Sequence, residues 1–414
     1  MRIKSKEEVV TMIKKSSKLD HVGYDIRGPV LDLANEMVAQ GIDILKLNTG
    51  NPGAFGFDAP DETIQALIDG IRVSQGYSES KGLTSAREAI AAYCAYKGIE
   101  GVTANDIYTG NGVSELILLS MQALLEPGDE ILVPTPDYPL WTAAITLSGG
   151  TVVYYTCDEQ SDWCPDPKDI AAKITPRTRG IVVINPNNPT GALYPKDLLL
   201  QITDIAREHD LIVFADEIYD RLVMDDLEHH ALASLAPDLF TVTFNGLSKS
   251  HLIAGFRSGW MSLSGKKKAE ATGYLQGINM LASMRLCSNV LAQSLIPAAL
   301  ADFETPNSLV RPGGRIYEQR EFIWKALNDI PGLSVVKPRA AFYLFPKLDV
   351  KKFNITNDEQ FVVDFLREKH VLFTHGGGFH WPEPDHFRVV YLPALPALEQ
   401  VATRIADFLA TYKQ

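Results

Sequence analysis

The feature that most constrains this chain is a series of continuous apolar runs, each closed by a turn rich in Gly, Asn or acidic residues. Gly180–Asn185, Leu211–Ala215, Thr241–Phe244 and Gly259–Leu263 are not alternating runs, and several are almost pure Ile, Val and Leu. A strand with one wet face alternates, whereas a continuous run suits a strand covered on both faces. Further strands are expected at Glu130–Val133 and Thr151–Tyr155. Between the runs, helical spacing predicts helices over Asp61–Val73, Ser85–Lys97, Ser114–Leu125, Tyr138–Ser148, Pro195–Glu208 and Asn289–Asp302. Such alternation predicts an α/β large domain whose mostly parallel central sheet is flanked by helices.

The two ends read differently. Leu31–Val38 carries apolar residues at helical spacing, stops at Gly41 and leads into a short strand, Ile44–Leu47. After about Pro306, helices are expected at Tyr317–Leu327, Asp358–Lys369 and Leu398–Ala410. Strands are expected at Leu333–Val336, Ala341–Pro346 and Phe387–Tyr391, which together predict a smaller α+β domain. The segment Ala301–Gly314, with two prolines and two glycines, is the expected boundary. The expected division is therefore a large domain over 48–305 and a small one drawn from both ends, 1–47 and 306–414.

Lys and Arg number 39 against 51 Asp and Glu, a net charge of −12. An acidic surface argues against a nucleic-acid or anionic-membrane partner. No apolar run approaches the length of a membrane span. The Lys-rich start carries Glu7 and Glu8 and lacks the apolar stretch of an export signal. Cys94, Cys157, Cys164 and Cys287 lack paired metal spacing and read as reduced thiols, which predicts a cytoplasmic protein. The adjacent His229 and His230 read as exposed, the other histidines lack ligand spacing, and no metal is expected.

In open α/β sheets ligands gather where strands end, so the residues after each run carry the functional reading. Asn185-Pro186-Asn187-Asn188-Pro189-Thr190-Gly191 follows one run, Asp216-Glu217-Ile218-Tyr219 another, and Asn245-Gly246-Leu247-Ser248-Lys249 a third. Upstream, Tyr108-Thr109-Gly110-Asn111-Gly112-Val113-Ser114-Glu115 opens a helix, where free backbone N–H groups and the helix dipole favour an anion. An anion cradle, a carboxylate, an amide, tyrosines, a lysine and an arginine suit an anionic, aromatic, aldehyde-bearing cofactor.

These motifs, together with Gly50-Asn51-Pro52 and Gly255-Phe256-Arg257-Ser258-Gly259-Trp260, resemble those of the class I/II aminotransferases, the fold-type-I pyridoxal-phosphate enzymes. The resemblance spans nearly the whole chain. Arg27-Gly28-Pro29, Phe55-Gly56-Phe57, Pro136-Asp137-Tyr138-Pro139-Leu140-Trp141 and Asn245–Lys249 are similar to the bacterial glutamate–pyruvate (alanine) aminotransferases within that family.

The resemblance implies that pyridoxal 5'-phosphate is the cofactor and that Lys249 carries it covalently, then moves a proton once released. Asp216 would pair with the ring nitrogen, Tyr219 and Asn188 with the ring oxygen, and Tyr138 would stack on the ring. The phosphate would be held by Gly112, Val113, Ser114, Ser248 and Arg257, with Tyr77 reaching across from a second subunit of a homodimer. Arg388 would clamp the α-carboxylate of an amino-acid or 2-oxo-acid substrate, with Gly50 and Asn188 lining the same end. Alanine, or a similar amino acid, with 2-oxoglutarate is the implied pair. Another specificity, C–S β-elimination or a regulator without turnover are the alternatives that the motifs leave open. Many relatives carry a hydroxyl three positions before the lysine, where this chain has Gly246, so one phosphate hydrogen bond is in question. The glycine run His375–His380 is expected to form a mobile loop beside the pocket, with a plain turn as the alternative.

Overall fold

The computed structural model describes residues 14–20, 22–24 and 28–414; Arg27 and the first thirteen residues lie outside the described residues. Among the described residues, nine strands order the first two thirds of the chain. They are β1 (Leu45–Lys46), β2 (Ile107–Asn111), β3 (Glu130–Thr135), β4 (Thr151–Asp158), β5 (Cys164–Pro165), β6 (Thr178–Ile184), β7 (Ile212–Asp216), β8 (Thr241–Gly246) and β9 (Ser258–Ser264). All but β1 form one sheet in the order β2-β9-β8-β7-β6-β3-β4-β5. Strands β4, β3, β6, β7 and β8 run parallel to their neighbours in turn. β9 runs antiparallel between β2 and β8, and β5 antiparallel to β4.

Successive side chains of β6 explain its continuous apolar sequence. Ile181 and Val183 enter one core with Leu199 and Ile202, while Val182 and Ile184 enter another with Leu116, Trp141 and Phe244. Both faces of the sheet are thus sealed by helices, among them α4 (Val113–Leu124), in the arrangement of a doubly covered parallel sheet. From β3 the chain steps to β4 on one side, and from β6 to β7 and β8 on the other. The turns after β3 and β6 therefore part around a crevice at the strand ends, where such sheets take ligands.

A separate core joins the two ends of the chain. Val30, Ala34 and Met37 on helix α1 (Pro29–Ala39), with Ile44 and Leu47, pack with Phe361, Phe365, Leu398, Val401 and Ile405. β1 pairs in parallel with Val371–Leu372. Phe387–Val390 forms the middle of a three-stranded antiparallel sheet with Tyr343–Leu344 and Thr374–His375. Among the described residues no helix is long and apolar enough to cross a membrane.

Several expectations need correction. Asn289–Asp302 is two helices, Val290–Ser294 and Ile296–Ala301, because Pro297 has no N–H and its ring crowds the preceding turn. The expected boundary segment contains a helix, Glu304–Val310. Tyr108–Asn111 belongs to strand β2, and Thr272–Met284 is a helix that the sequence reading passed over. His229 is buried, not exposed. The glycine run is a 3-10 turn, Gly376–Phe379, whose Gly376, Gly378 and Phe379 are buried. It is packed into the interior rather than lying as a flap over the pocket.

Candidate active site

A cavity of about 480 Å³ opens at the carboxyl ends of the strands. It gathers every expected site residue except Gly112, which lies just beneath its wall, and Tyr77, which stands outside it and is 82% exposed. The wall also contains residues that the sequence reading had not assigned, chiefly Tyr24, Thr49, Ile184, Ile218 and Tyr343.

Asp216 ends β7 and is buried. Its Oδ2 accepts a hydrogen bond from Trp141 Nε1 at 3.0 Å. Burial pushes its carboxyl up to about 6, against the pull of that bond, the Ile218 N–H and the charge of Lys249. A cation beside this acid would be strongly favoured, since it would relieve the desolvation of the carboxylate. Lys249 lies on the wall beyond β8, its Nζ donating to the Gly50 carbonyl at 2.9 Å. Tyr219 shares a 2.7 Å hydrogen bond with Tyr343, and Tyr138 lies 3.3 Å hydroxyl to hydroxyl from Tyr24.

At one end of the cavity the chain forms an anion cradle. Val113 and Ser114 begin α4, so their N–H groups have no intrahelical partner. Gly112 precedes them at φ 78°, and a Cβ there would meet Arg257 Nη2 at 2.1 Å. Only glycine lets the guanidinium come this close. Arg257 is itself held by the Ala254 and Asn111 carbonyls, and Ser248 lies on the same wall.

At the other end, Arg388 is buried between the rings of Tyr343 and Phe379, each 4.5 Å from its guanidinium. Nη1 donates to Asn188 Oδ1 at 2.8 Å and Nη2 to the Asn48 carbonyl, while buried Nε has no partner among the described residues. A desolvated guanidinium with a spare donor and no acid beside it calls for an anion. The packed glycine turn supports it from behind, through Phe379.

Gly246 has a steric reason. A Cβ there would meet the Ser258 carbonyl at 2.7 Å and Gly259 Cα at 3.0 Å, because Gly246 of β8 lies opposite Gly259 of β9. The hydroxyl found in many relatives does not fit without moving β9. Gly246→Ser is expected to lower stability by about 1–3 kcal/mol, the range for overpacking, without tightening cofactor binding. Urea unfolding and cofactor titration check this, and unchanged stability with tighter binding would refute it.

Beside Asp216, the buried Glu217 points away from the cavity and accepts from the Leu232 N–H at 2.8 Å. Burial pushes its carboxyl from 4.5 to about 8, opposed by Lys97 and that N–H and reinforced by Asp220 and Asp216. A carboxyl with a raised folded-state pKa binds its proton more tightly in the folded chain. Its contribution to stability is therefore complete below about pH 4.5 and lost as pH rises to about 8. Wild type should lose stability relative to Glu217→Gln by up to ~1.4 kcal/mol per pH unit across that window. Parallel unfolding curves for the two proteins would remove this assignment.

The donor set fits pyridoxal 5'-phosphate: N–H groups and Arg257 for a phosphate, an acid for a ring nitrogen, and an amine for an aldehyde. A different ligand would leave the cradle or the acid without use.

Comparison with known proteins agrees with this geometry. Residues 42–405 match the family model "Aminotransferase class I and II". The chain is 58% identical over 402 residues to the glutamate-pyruvate aminotransferase AlaA of Escherichia coli K12, covering 97% of this chain and 99% of that protein. It is 50% identical to the alanine aminotransferase of Mycobacterium tuberculosis H37Rv over 97% of this chain and 93% of that one. The solved alanine aminotransferase of Pyrococcus furiosus superposes with a TM-score of 0.91 at 39% identity, covering 96% of this chain and all of that one.

Proposed function

The chain belongs to the class I and II aminotransferases, and from that premise we propose that it moves an amino group between alanine and 2-oxoglutarate, giving pyruvate and glutamate. The observation that carries this reading is the buried, carboxylate-seeking Arg388 in the same cavity as Lys249 and Asp216. The names of the two relatives that are at least half identical support the substrate pair.

Pyridoxal phosphate, when bound, supplies an electron sink conjugated to the substrate Cα and a carbon that accepts and returns the amino group. The chain supplies the rest. The Val113 and Ser114 N–H groups, the Ser248 hydroxyl and Arg257 hold the phosphate. Asp216 would keep a proton on the ring nitrogen, Tyr219 and Asn188 would donate to the ring oxygen, and Tyr138 would cover one ring face. Lys249 Nζ would hold the cofactor's aldehyde carbon and would move the proton at the substrate Cα. Gly50, whose carbonyl already accepts from Lys249, lines the substrate end of the cavity.

Arg388 binds the α-carboxylate that both substrates carry, so one guanidinium serves both half-reactions. Arg388→Leu should therefore lower kcat/KM for alanine and for 2-oxoglutarate together, by roughly a hundred- to a thousand-fold each. Loss confined to one substrate would contradict the shared clamp. Mixing the enzyme with alanine and 2-oxoglutarate tests the activity itself, and failure to form pyruvate and glutamate would refute the proposed pair.

We also propose a homodimer in which Tyr77 reaches the partner's phosphate. Its support is a set of exposed apolar side chains on the same chain, Ile68, Ile71, Val73, Met280, Met284 and Tyr77 itself. A sedimentation mass of one chain at micromolar concentration would exclude it. The proposed division into a large domain, 48–305, and a small one, 1–47 with 306–414, is supported by the separate core that joins the two ends. Limited proteolysis that cuts elsewhere first would count against it. A cytoplasmic location is supported by four unpaired thiols, and recovery from a periplasmic fraction would refute it.

A further inference from the structure

A buried polar chain runs behind the cavity, and none of its side chains, Lys97, His229, Asp220, Tyr93 and Arg221, lines the wall. Lys97 follows helix α3 (Thr84–Tyr96), with its side chain 13% exposed. Its Nζ lies 3.0 Å from His229 Nδ1 and 3.6 Å from Asp220 Oδ2. His229 Nε2 lies 3.1 Å from the Asn185 carbonyl. Asp220 also accepts from the Tyr93 hydroxyl at 2.5 Å, and Tyr93 in turn accepts from Arg221 Nε at 3.2 Å.

The roles in this chain are fixed by donor chemistry. An ammonium only donates, so His229 Nδ1 must accept from it, which leaves Nε2–H to donate to the carbonyl. Only the neutral imidazole with its proton on Nε2 can do both. Burial and the neighbouring Lys97 charge hold the imidazole down to about 3, so it keeps this form at neutral pH.

The two ends of the chain matter for function. Asp220 directly follows Tyr219. Asn185 begins the turn that carries Asn188. Asn185 is held at three points: its N–H donates to the Asp216 carbonyl, its Oδ1 accepts from the Tyr194 N–H, and its carbonyl is bonded by His229. One ammonium therefore ties the Asn188 turn to the Tyr219 turn. Burying a cation, a carboxylate and an imidazole is a poor way to gain stability, since apolar residues of similar volume often do as well. Such a group is better explained by the geometry that it fixes.

We propose that Lys97 and His229 are positioning residues that set the distance between Asn188 and Tyr219 across the cavity. The proposal rests on the reading that these two side chains donate to the cofactor's ring oxygen. Their placement then governs how easily the lysine-bound cofactor loses its proton, which is visible as the pH midpoint of its absorbance.

The test is that midpoint in the holoenzyme of wild type, His229→Leu, His229→Gln, His229→Asn and Asn188→Ala. Gln can place an amide N–H near Nε2 and keep the bond to Asn185; Leu cannot, and Asn is too short to reach. The midpoint is expected to move by about 0.5–1 unit in His229→Leu, the worth of one hydrogen bond, and to return in His229→Gln. Lys97→Met should shift it in the same direction. If Asn188→Ala moves the midpoint and His229→Leu does not, the positioning role is wrong and the reading of Asn188 stands. If Asn188→Ala has no effect, the reading of Asn188 fails and the inference falls with it. Should His229→Leu not fold, His229→Gln against His229→Asn decides: equal midpoints overturn the proposal.

Discussion

Replacing Lys249 with alanine is expected to lower turnover of alanine with 2-oxoglutarate by about 10⁴-fold or more, because in the proposed mechanism one side chain is both covalent anchor and proton carrier. The fold should survive. Among the described residues the Lys249 side chain makes one hydrogen bond, to the Gly50 carbonyl, and an alanine leaves a gap that opens onto a cavity already present. Val113, Ser114, Arg257 and Asp216 lie away from the Lys249 turn, so the cofactor should still bind, without a covalent link. Steady-state assays together with absorbance spectra separate the two effects. Turnover close to wild type in Lys249→Ala would remove the residue from the chemistry.

The second large effect is expected at Asp216. Asp216→Asn keeps an oxygen for Trp141 Nε1 and almost the same volume, so packing against the indole is preserved. It removes the negative charge that would hold a proton on the ring nitrogen. Loss of one preorganised electrostatic partner lowers kcat by roughly 10²–10³-fold, and here the partner serves the electron sink itself. Burial pushes the Asp216 carboxyl up to about 6. A cationic ring nitrogen beside it should pull that value down, so cofactor binding near pH 6 should release a proton from the acid. Calorimetry in two buffers of different ionisation enthalpy reads that release. Its absence, or a kcat unaffected in Asp216→Asn, would exclude the pairing.

The parallel sheet was legible because β6 and β7 are covered on both faces and carry continuous apolar runs, 181–184 and 212–215. Asp216 and Lys249 were legible because they stand at or just beyond strand ends with distinctive neighbours. β2 was not, since Tyr108-Thr109-Gly110-Asn111 has no apolar run and owes its strand to pairing with β9. The bond from Trp141 to Asp216 and the pairing of Arg388 with Asn188, 200 positions apart, are tertiary contacts with no local signature. His229 misled for a related reason: a His-His pair in an acidic segment reads as surface, and only the fold brings Lys97 and the Asn185 carbonyl to it. At Gly246 the sequence marked a departure from relatives without its cause, which is the backbone of β9.

The central claim, that Lys249 is the point where cofactor and proton transfer meet, has a direct measurement. Borohydride reduction of the cofactor-loaded enzyme fixes the bound cofactor on whichever lysine carries it, and peptide mass spectrometry identifies that lysine. The expected result is a single modified peptide containing Lys249, with the adduct lost when alanine is added before reduction. An adduct on another lysine, or one on Lys249 that alanine leaves in place, would contradict the claim.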